Sequence, residues 1–253
     1  MVKAILHGCN GRMGRMITDL AKEDPEIEIV AGVDTYAEAA NDYPVFETMG
    51  DCDVPADVVI DFSNAGAVDG LLSICSAGKL PVVLCTTGLS GDQQNLVLQA
   101  AEHTAVLKSA NMSLGINTIM DLLRKAVRTL YPAGFDVEIV EKHHNQKLDA
   151  PSGTAIALAD AMNEEMNELY TYRYDRSQDR KKRKREEIGI SAVRGGNIVG
   201  EHEVIFAGTD EVIEIKHTAT SRAVFAKGAI EAAKFLCGKP AGLYDMQDVI
   251  TSR

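Results

Sequence analysis

The chain has 253 residues, which suits one large domain or two moderate ones. Hydrophobic residues make up 45% and charged residues 25%, enough for a buried core, and without Trp that core must be largely aliphatic. A net charge of −11 excludes a protein built to coat nucleic acid, whose phosphates would repel it, and no apolar run approaches a membrane span.

The five cysteines (9, 52, 75, 85 and 237) form no CxxC pair, and three of them end apolar runs, as small buried thiols do. No metal framework follows from them. The N-terminus lacks the apolar stretch of a signal peptide, so the expected setting is reduced and cytoplasmic, with neither membrane nor nucleic acid as partner.

In chain order, 2–8 reads as a strand, the segment after it as a helix ended by Pro25, and 27–34 as a second strand. Strands follow at 57–62, 81–88 and 105–111, separated by the helical stretches AVDGLLSICSAG and GDQQNLVLQAAEH. Continuous apolar strands alternating with helices predict an α/β fold with a doubly wound parallel sheet of nucleotide-binding type. After Asn111 the pattern changes. Apolar residues at 116, 119, 120, 123, 127 and 130 make a helical stripe, and four strand-like segments then follow without regular helices between them. That predicts a second α+β domain with an open, mainly antiparallel sheet. The final helix, 223–238, is apolar enough to return to the first domain. The expected division is 1–112, completed by 223–253, and 113–222.

Gly8, Gly11 and Gly14 follow the first strand directly, as G-x-x-G-x-x-G. Glycines mark any tight strand-to-helix turn, but this loop opens a helix whose first amides can hold a pyrophosphate, and an acid follows 20 residues past Gly14. Asp34 ends the second strand, where a carboxylate can accept hydrogen bonds from an adenosine ribose. The pattern predicts dinucleotide binding. An acid there favours NADH, because a 2′-phosphate would meet a negative charge; Thr35 and Tyr36 add no cation, while Arg12 leaves NADPH open. CTTG (85–88) and SANMS (109–113) end later strands and are expected at the nicotinamide half.

The stretch EKHHNQKLDAPSGTA (141–155) combines two imidazoles, an ammonium and a turn opening onto a helix. On a strand, His143 and His144 would point to opposite faces and take separate roles, one as proton donor and the other as a substrate partner or support. Lys147 could hold a carboxylate or deliver a proton, and Gly153 and Thr154 offer amides at a helix start, which attracts anions. Together these suit a small anionic substrate that receives a proton; the plainer alternative is a solvated loop with an N-cap.

With these residues the chain resembles the 4-hydroxy-tetrahydrodipicolinate reductase family. GCNGRMG (8–14), CTTG, SANMS, the stretch 138–155, AVRGGNIVGEHEVIFAG (192–208) and HTATSRAVFAKGA (217–229) match the family pattern in order, over nearly the whole chain. The resemblance implies reduction of a cyclic dicarboxylate in the diaminopimelate route to lysine. It also implies a nicotinamide-binding first domain and a mixed-sheet, substrate-binding second domain that assembles a homotetramer. His143 would be the proton donor/acceptor, Lys147 a second proton-donating group, and His144, Gly153 and Thr154 the carboxylate holders. Gly8, Cys9, Asn10, Gly11, Arg12, Met13, Asp34, Cys85, Thr86, Thr87, Ser109, Ala110, Asn111 and Met112 would line the cofactor, and Arg222 matches a signature arginine at the domain junction. Thr35 stands where many members have Arg, which argues against strong NADPH use; Cys85 replaces a usual Gly and Met112 a common Phe. The alternatives are a reductase of another carboxylated imine, or a dinucleotide sensor without catalysis.

Arg180 to Arg185 are six consecutive basic residues flanked by acids, and read as a solvated loop, with steering of an anionic substrate as the second reading. His7, His103 and His202 have no ligand spacing and read as structural, and Met162 and Met166 as core or interface.

Overall fold

The computed structural model describes residues 1–36 and 41–252. The chain divides into two compact units: Met1–Leu114 with Ala223–Arg253, and Gly115–Arg222. Elements run in chain order as β1 (Val2–His7), α1 (Arg12–Lys22), β2 (Ile27–Val33), β3 (Val45–Phe46), β4 (Val58–Asp61), α2 (Ala65–Gly78), β5 (Val82–Leu84), α3 (Gly91–Ala101) and β6 (Ala105–Leu107). Next come α4 (Leu114–Leu130), β7 (Asp136–His143), α5 (Gly153–Glu165), β8 (Thr171–Arg173), β9 (Glu187–Arg194), β10 (Gly200–Ala207) and β11 (Val212–Ala219). The chain ends with α6 (Ala223–Leu236), β12 (Gly242–Tyr244) and α7 (Met246–Thr251).

The first unit is built on a seven-stranded sheet of order β12-β6-β5-β4-β1-β2-β3, with every pairing parallel. Side chains alternate across each strand, so one sheet feeds two cores. Leu6, Ile60, Val83 and Leu107 pack with Ile17 of α1 and Ala229, Ala233 and Leu236 of α6. Their neighbours Ile5, Val59, Leu84 and Val106 pack on the other face with Leu71 and Leu72 of α2 and Val97 of α3. Strands buried on both faces must be apolar throughout, as these are. Chain order reverses direction at β1, whose neighbours are β4 and β2, and that switch point is where open parallel sheets bind ligands.

Several expected strands are shorter than their apolar runs. CTTG and SAN lie beyond the ends of β5 and β6 as loops, tied to the sheet where the Cys85 amide donates to the Asp61 carbonyl at 3.0 Å. β3, β8 and β12 are two or three residues each, too short to show a period in the sequence.

The second unit has a five-stranded sheet of order β11-β10-β7-β9-β8. It is mixed, as the family resemblance implies, where the strand pattern alone reads as mainly antiparallel: β10 pairs antiparallel with β7 and β11, and β9 pairs parallel with β7 and β8. The reason is α5, an Ala-rich helix with little apolar periodicity, which carries the chain back after β7 and so makes a parallel return possible. Val137 and Ile139 of β7, Val204 and Phe206 of β10, and Ile188 and Ile190 of β9 form a core with Leu123 and Val127 of α4 and Leu158 and Met162 of α5.

Within the basic run, Arg183 and Arg185 are fixed to the fold. Arg183 pairs with Asp136 at 2.5 Å, and Arg185 stacks on Tyr131 at 4.8 Å and donates to its carbonyl. Arg180, Lys181, Lys182 and Lys184 are solvated, as a loop reading expects.

Candidate active site

In the first unit, the turn from β1 to α1 passes through Gly8 at φ +82°, a conformation that suits glycine. A Cβ on Gly8 would also lie 2.6 Å from the carbonyl oxygen of Phe62, so the loop and the end of β4 close together only with glycine there. Gly14 is equally confined, since its Cβ would meet the Gly8 carbonyl oxygen at 2.2 Å. Gly11 is the N-cap of α1 and no side chain caps the helix, which leaves its first-turn amides for an anion. Asp34, just past β2, accepts from the Asn10 amide at 2.9 Å and from the Tyr36 amide at 3.0 Å. A carboxylate so held is a fixed acceptor beside the glycine loop.

Gly8, Gly11 and Asp34 line one groove of about 550 Å³ across the ends of β1, β2 and β4. Its walls are glycine backbone and the Asp34 carboxylate, and Met49, Phe62, Leu71 and Ile74 form an apolar floor, a lining of the kind that small-molecule clefts have. Those apolar residues escaped the sequence reading, although the strand-end rule applied to β4 points at Phe62 and Ser63. The Cys9 side chain is fully buried, with Sγ over Gly32, so this residue can face the groove only through its backbone.

Cys85, Thr86 and Thr87 follow β5, and Ser109 to Met112 follow β6, on the same edge of the sheet but outside that cavity. Thr86 is held from below: its Oγ1 donates to the fully buried Asp61 at 2.6 Å, and Ser63 Oγ donates to the same carboxylate at 2.6 Å. His7 Nδ1 approaches Asp61 at 2.9 Å. Met112 is buried, and its carbonyl nests on Gly228 of α6, where a Cβ would come within 1.7 Å.

In the second unit, β7 presents Val137, Ile139, Glu141 and His143 to the core side, so its apolar stripe turns polar at the last two positions. His144 lies past the strand end and is half-buried. His143 Nδ1 is 2.6 Å from Glu141 Oε2, and its ring packs edge-on against His202 of β10 at 5.1 Å. Ser152 caps α5 by accepting from the Ala155 amide at 3.2 Å, and its hydroxyl is 3.0 Å from His202 Nε2. Lys147 Nζ lies 2.8 Å from Asp149 Oδ1. Burial would raise the Asp149 pKa, but Lys147 and the Gly153 amide outweigh it and hold the carboxyl below its usual range. The corner formed by Lys147 and the start of α5 therefore already holds a carboxylate. Thr154 sits in the first turn of the same helix.

Burial holds the His143 pKa below the usual value for histidine, with Glu141 opposing it and Lys147 and Arg194 adding to it. His202 is pushed down to about 4, by burial first and then by its His143 neighbour. His202 is thus part of the cluster around His143, not a remote structural residue. His103 belongs to the first unit. Arg222 is exposed at the end of the second unit. Among the described residues no group of three or more His, Cys, Asp or Glu could hold a metal ion.

The first unit thus carries a glycine- and Asp34-lined groove, and the second a buried His–Glu cluster beside a corner that holds the Asp149 carboxylate. Comparison with known proteins identifies the family. The family model for the dihydrodipicolinate reductase N-terminus matches residues 2–112, and that for the C-terminus matches residues 115–250. The 4-hydroxy-tetrahydrodipicolinate reductase of Clostridium tetani is 52% identical over all of this chain and 98% of its own length. The one from Caldanaerobacter subterraneus is 51% identical, covering 99% of this chain and 98% of that protein. Among solved structures, a dipicolinate-bound dihydrodipicolinate reductase from Paenisporosarcina superposes with a TM-score of 0.79 at 22% identity, over 99% of each chain, which establishes the shared fold. The glycine loop, the His-His-Lys stretch and the two matched halves place this chain in the dihydrodipicolinate reductase family.

Proposed function

We propose that this protein reduces 4-hydroxy-tetrahydrodipicolinate to tetrahydrodipicolinate, with loss of water, in the diaminopimelate route to lysine. Full-length kinship with named reductases at 52% identity carries the reading, and the geometry of the two units supports it. The reaction consumes one hydride and one proton and releases one water. A nicotinamide dinucleotide supplies the hydride when bound. The protein itself must bind that dinucleotide, hold two substrate carboxylates and place a proton.

The first-turn amides of α1 and the Gly8 to Met13 loop would take the pyrophosphate, and Asp34 the adenosine ribose. Thr86 and Thr87, with Ser109 to Met112, would border the nicotinamide end, steadied by Asp61. His144, Gly153 and Thr154 would hold substrate carboxylates, with Lys147 as a second cation and proton donor; the carboxylate of Asp149 occupies the kind of position a substrate carboxylate would take. His143 would donate the proton. Its ordinary pKa lies near neutrality, and burial lowers it, so the protonated form gives up its proton readily.

NADH is the proposed preference. Asp34 is held in place by two amides beside Thr35, so a 2′-phosphate would meet a fixed negative charge. Arg12 is exposed at the start of α1 and is the residue through which NADPH would be tolerated. A cytoplasmic setting and a homotetramer formed by the second unit complete the proposal; β11 of that unit exposes Val212 and Ile213. No described helix is long and apolar enough to cross a membrane.

The test is oxidation of NADH and of NADPH with freshly generated 4-hydroxy-tetrahydrodipicolinate. Turnover with a higher kcat/KM for NADH is expected. No oxidation of either cofactor would leave a dinucleotide sensor as the better reading, and a preference for NADPH would overturn the argument from Asp34.

A further inference from the structure

Glu141 has no exposed surface, yet nothing in the proton-donor or anion-holding roles above requires it. A carboxylate removed from water costs several kcal/mol unless it is paired and fully hydrogen-bonded, so its retention on the core face of β7 calls for a cause. Its bonds point to one. Oε2 meets His143 Nδ1 at 2.6 Å and Arg194 Nη1 at 2.7 Å; Oε1 accepts from Arg194 Nη2 at 2.7 Å and from the Ser152 amide at 3.0 Å. Arg194, on β9 in register with His143, grips it as a two-pronged fork and also donates to the Asp149 carbonyl.

We propose that Glu141, clamped by Arg194, is the positioning residue of the reaction: it fixes the His143 ring with hydrogen on Nδ1, leaving Nε2 to exchange the proton. The same carboxylate holds the Ser152 amide, so it also sets the start of α5, where the substrate carboxylates are assigned. The proposal rests on His143 being the proton donor. Its chemistry is simple. Glu141 is ionised because the hydrogen bonds from Arg194, His143 and Ser152 together outweigh its burial, and an ionised carboxylate only accepts. Nδ1 must therefore carry the hydrogen. When Nε2 has given up its proton the ring is neutral, and the carboxylate favours its reprotonation.

The ring is held by its surroundings: it is 8% exposed, bonded to Glu141 and packed edge-on by His202 of β10. Gly200 of the same strand leaves room beside Nε2, since a Cβ there would lie 3.1 Å from it. The charged and titratable groups around the ring are Glu141 on its own strand, Lys147 in the following loop, Arg194 on β9 and His202 on β10, with His217 of β11 behind His202. Among these Glu141 alone is anionic, so its charge should control the pH at which His143 titrates.

The experiment uses the full chain with ¹⁵N-labelled histidine, and Glu141→Gln, Glu141→Ala and His143→Ala. In the unsubstituted protein the neutral His143 ring should show hydrogen on Nδ1, a readout independent of turnover. Glu141→Gln keeps an acceptor but loses the charge. Its kcat should fall roughly ten- to a hundredfold, part of the general-acid contribution, with KM for NADH unchanged and His143 titrating at lower pH. Glu141→Ala should lose the Nδ1 preference. A ring protonated on Nε2, or a Glu141→Gln enzyme with unaltered kcat and pH profile beside an inactive His143→Ala, overturns the proposal while the donor assignment stands. A fully active His143→Ala overturns both.

Discussion

A histidine with only 8% of its surface exposed, bonded to a buried carboxylate, is chemically a different group from its half-buried neighbour. His143 and His144 are adjacent in sequence and identical in type, and only the end of β7 between them separates their environments. Replacing His143 by Ala should lower kcat by about 10²–10⁴-fold, the usual worth of a general acid, with NADH binding intact by fluorescence titration. Lys147→Ala should lower kcat and also raise KM for the dicarboxylate, because its ammonium is assigned to anion binding as well as to proton transfer. Near-normal turnover by both variants would remove the assignment. At this scale the polar character of the stretch was legible, since two imidazoles and an ammonium beside PSGT are not what packing selects. Glu141 was overlooked, although it lies two residues before His143 and therefore on the same strand face. Arg194 was out of reach, because 53 residues separate it from the carboxylate it holds.

At the scale of elements, the glycine loop and the strand ends do the positioning. Gly8→Ala tests the loop. At φ +82°, and with a carbonyl oxygen 2.6 Å from where its Cβ would stand, alanine should cost about 1–3 kcal/mol of stability and weaken NADH binding. Urea melts and NADH titration measure the two effects, and normal NADH affinity would show that the loop tolerates a side chain and that the groove lies elsewhere. Strands β1, β2, β4, β5 and β6 and helix α1 were legible because both-face burial demands unbroken apolar runs, which short segments display well. β3, β8 and β12 were not, since their two or three residues are only partly buried and so need no continuous apolar run. α5 showed its N-cap, Ser152, but not its consequence. A helix between β7 and β9 turns an expected antiparallel succession into a parallel pair, and that pairing is what brings Arg194 beside His143.

For the whole molecule, histidines buried in the neutral form make stability depend on pH. His202 titrates at about 4 in the folded chain against about 6.5 unfolded, so the unfolded state binds more protons below pH 6.5 and stability falls with falling pH. This one group should remove about 2 kcal/mol by pH 5 and about 3 kcal/mol by pH 4. His143 and His217, also lowered by burial, act in the same direction. Glu141, whose pKa is depressed, adds a further loss as pH falls through the carboxylate range. Urea midpoints at pH 7.5 and pH 5 measure the effect, and His202→Gln should flatten the dependence; equal midpoints at the two pH values in the unsubstituted protein would contradict it.

The amino-acid sequence by itself determined the parallel nucleotide-binding sheet, the glycine loop with its acid at β2, the polar stretch after β7 and the return of the last helix to the first unit. Each is written in local pattern: apolar continuity, spacing, and residue types that packing alone would not choose. Tertiary structure alone decided the strand order of the second sheet, the groove floor of Met49, Phe62, Leu71 and Ile74, and the enclosure of His143 by Glu141, Arg194, Gly200 and His202. Those contacts join residues from separate strands, and their energies come from desolvation and hydrogen-bond geometry that exist only once the sheet has brought the strands together.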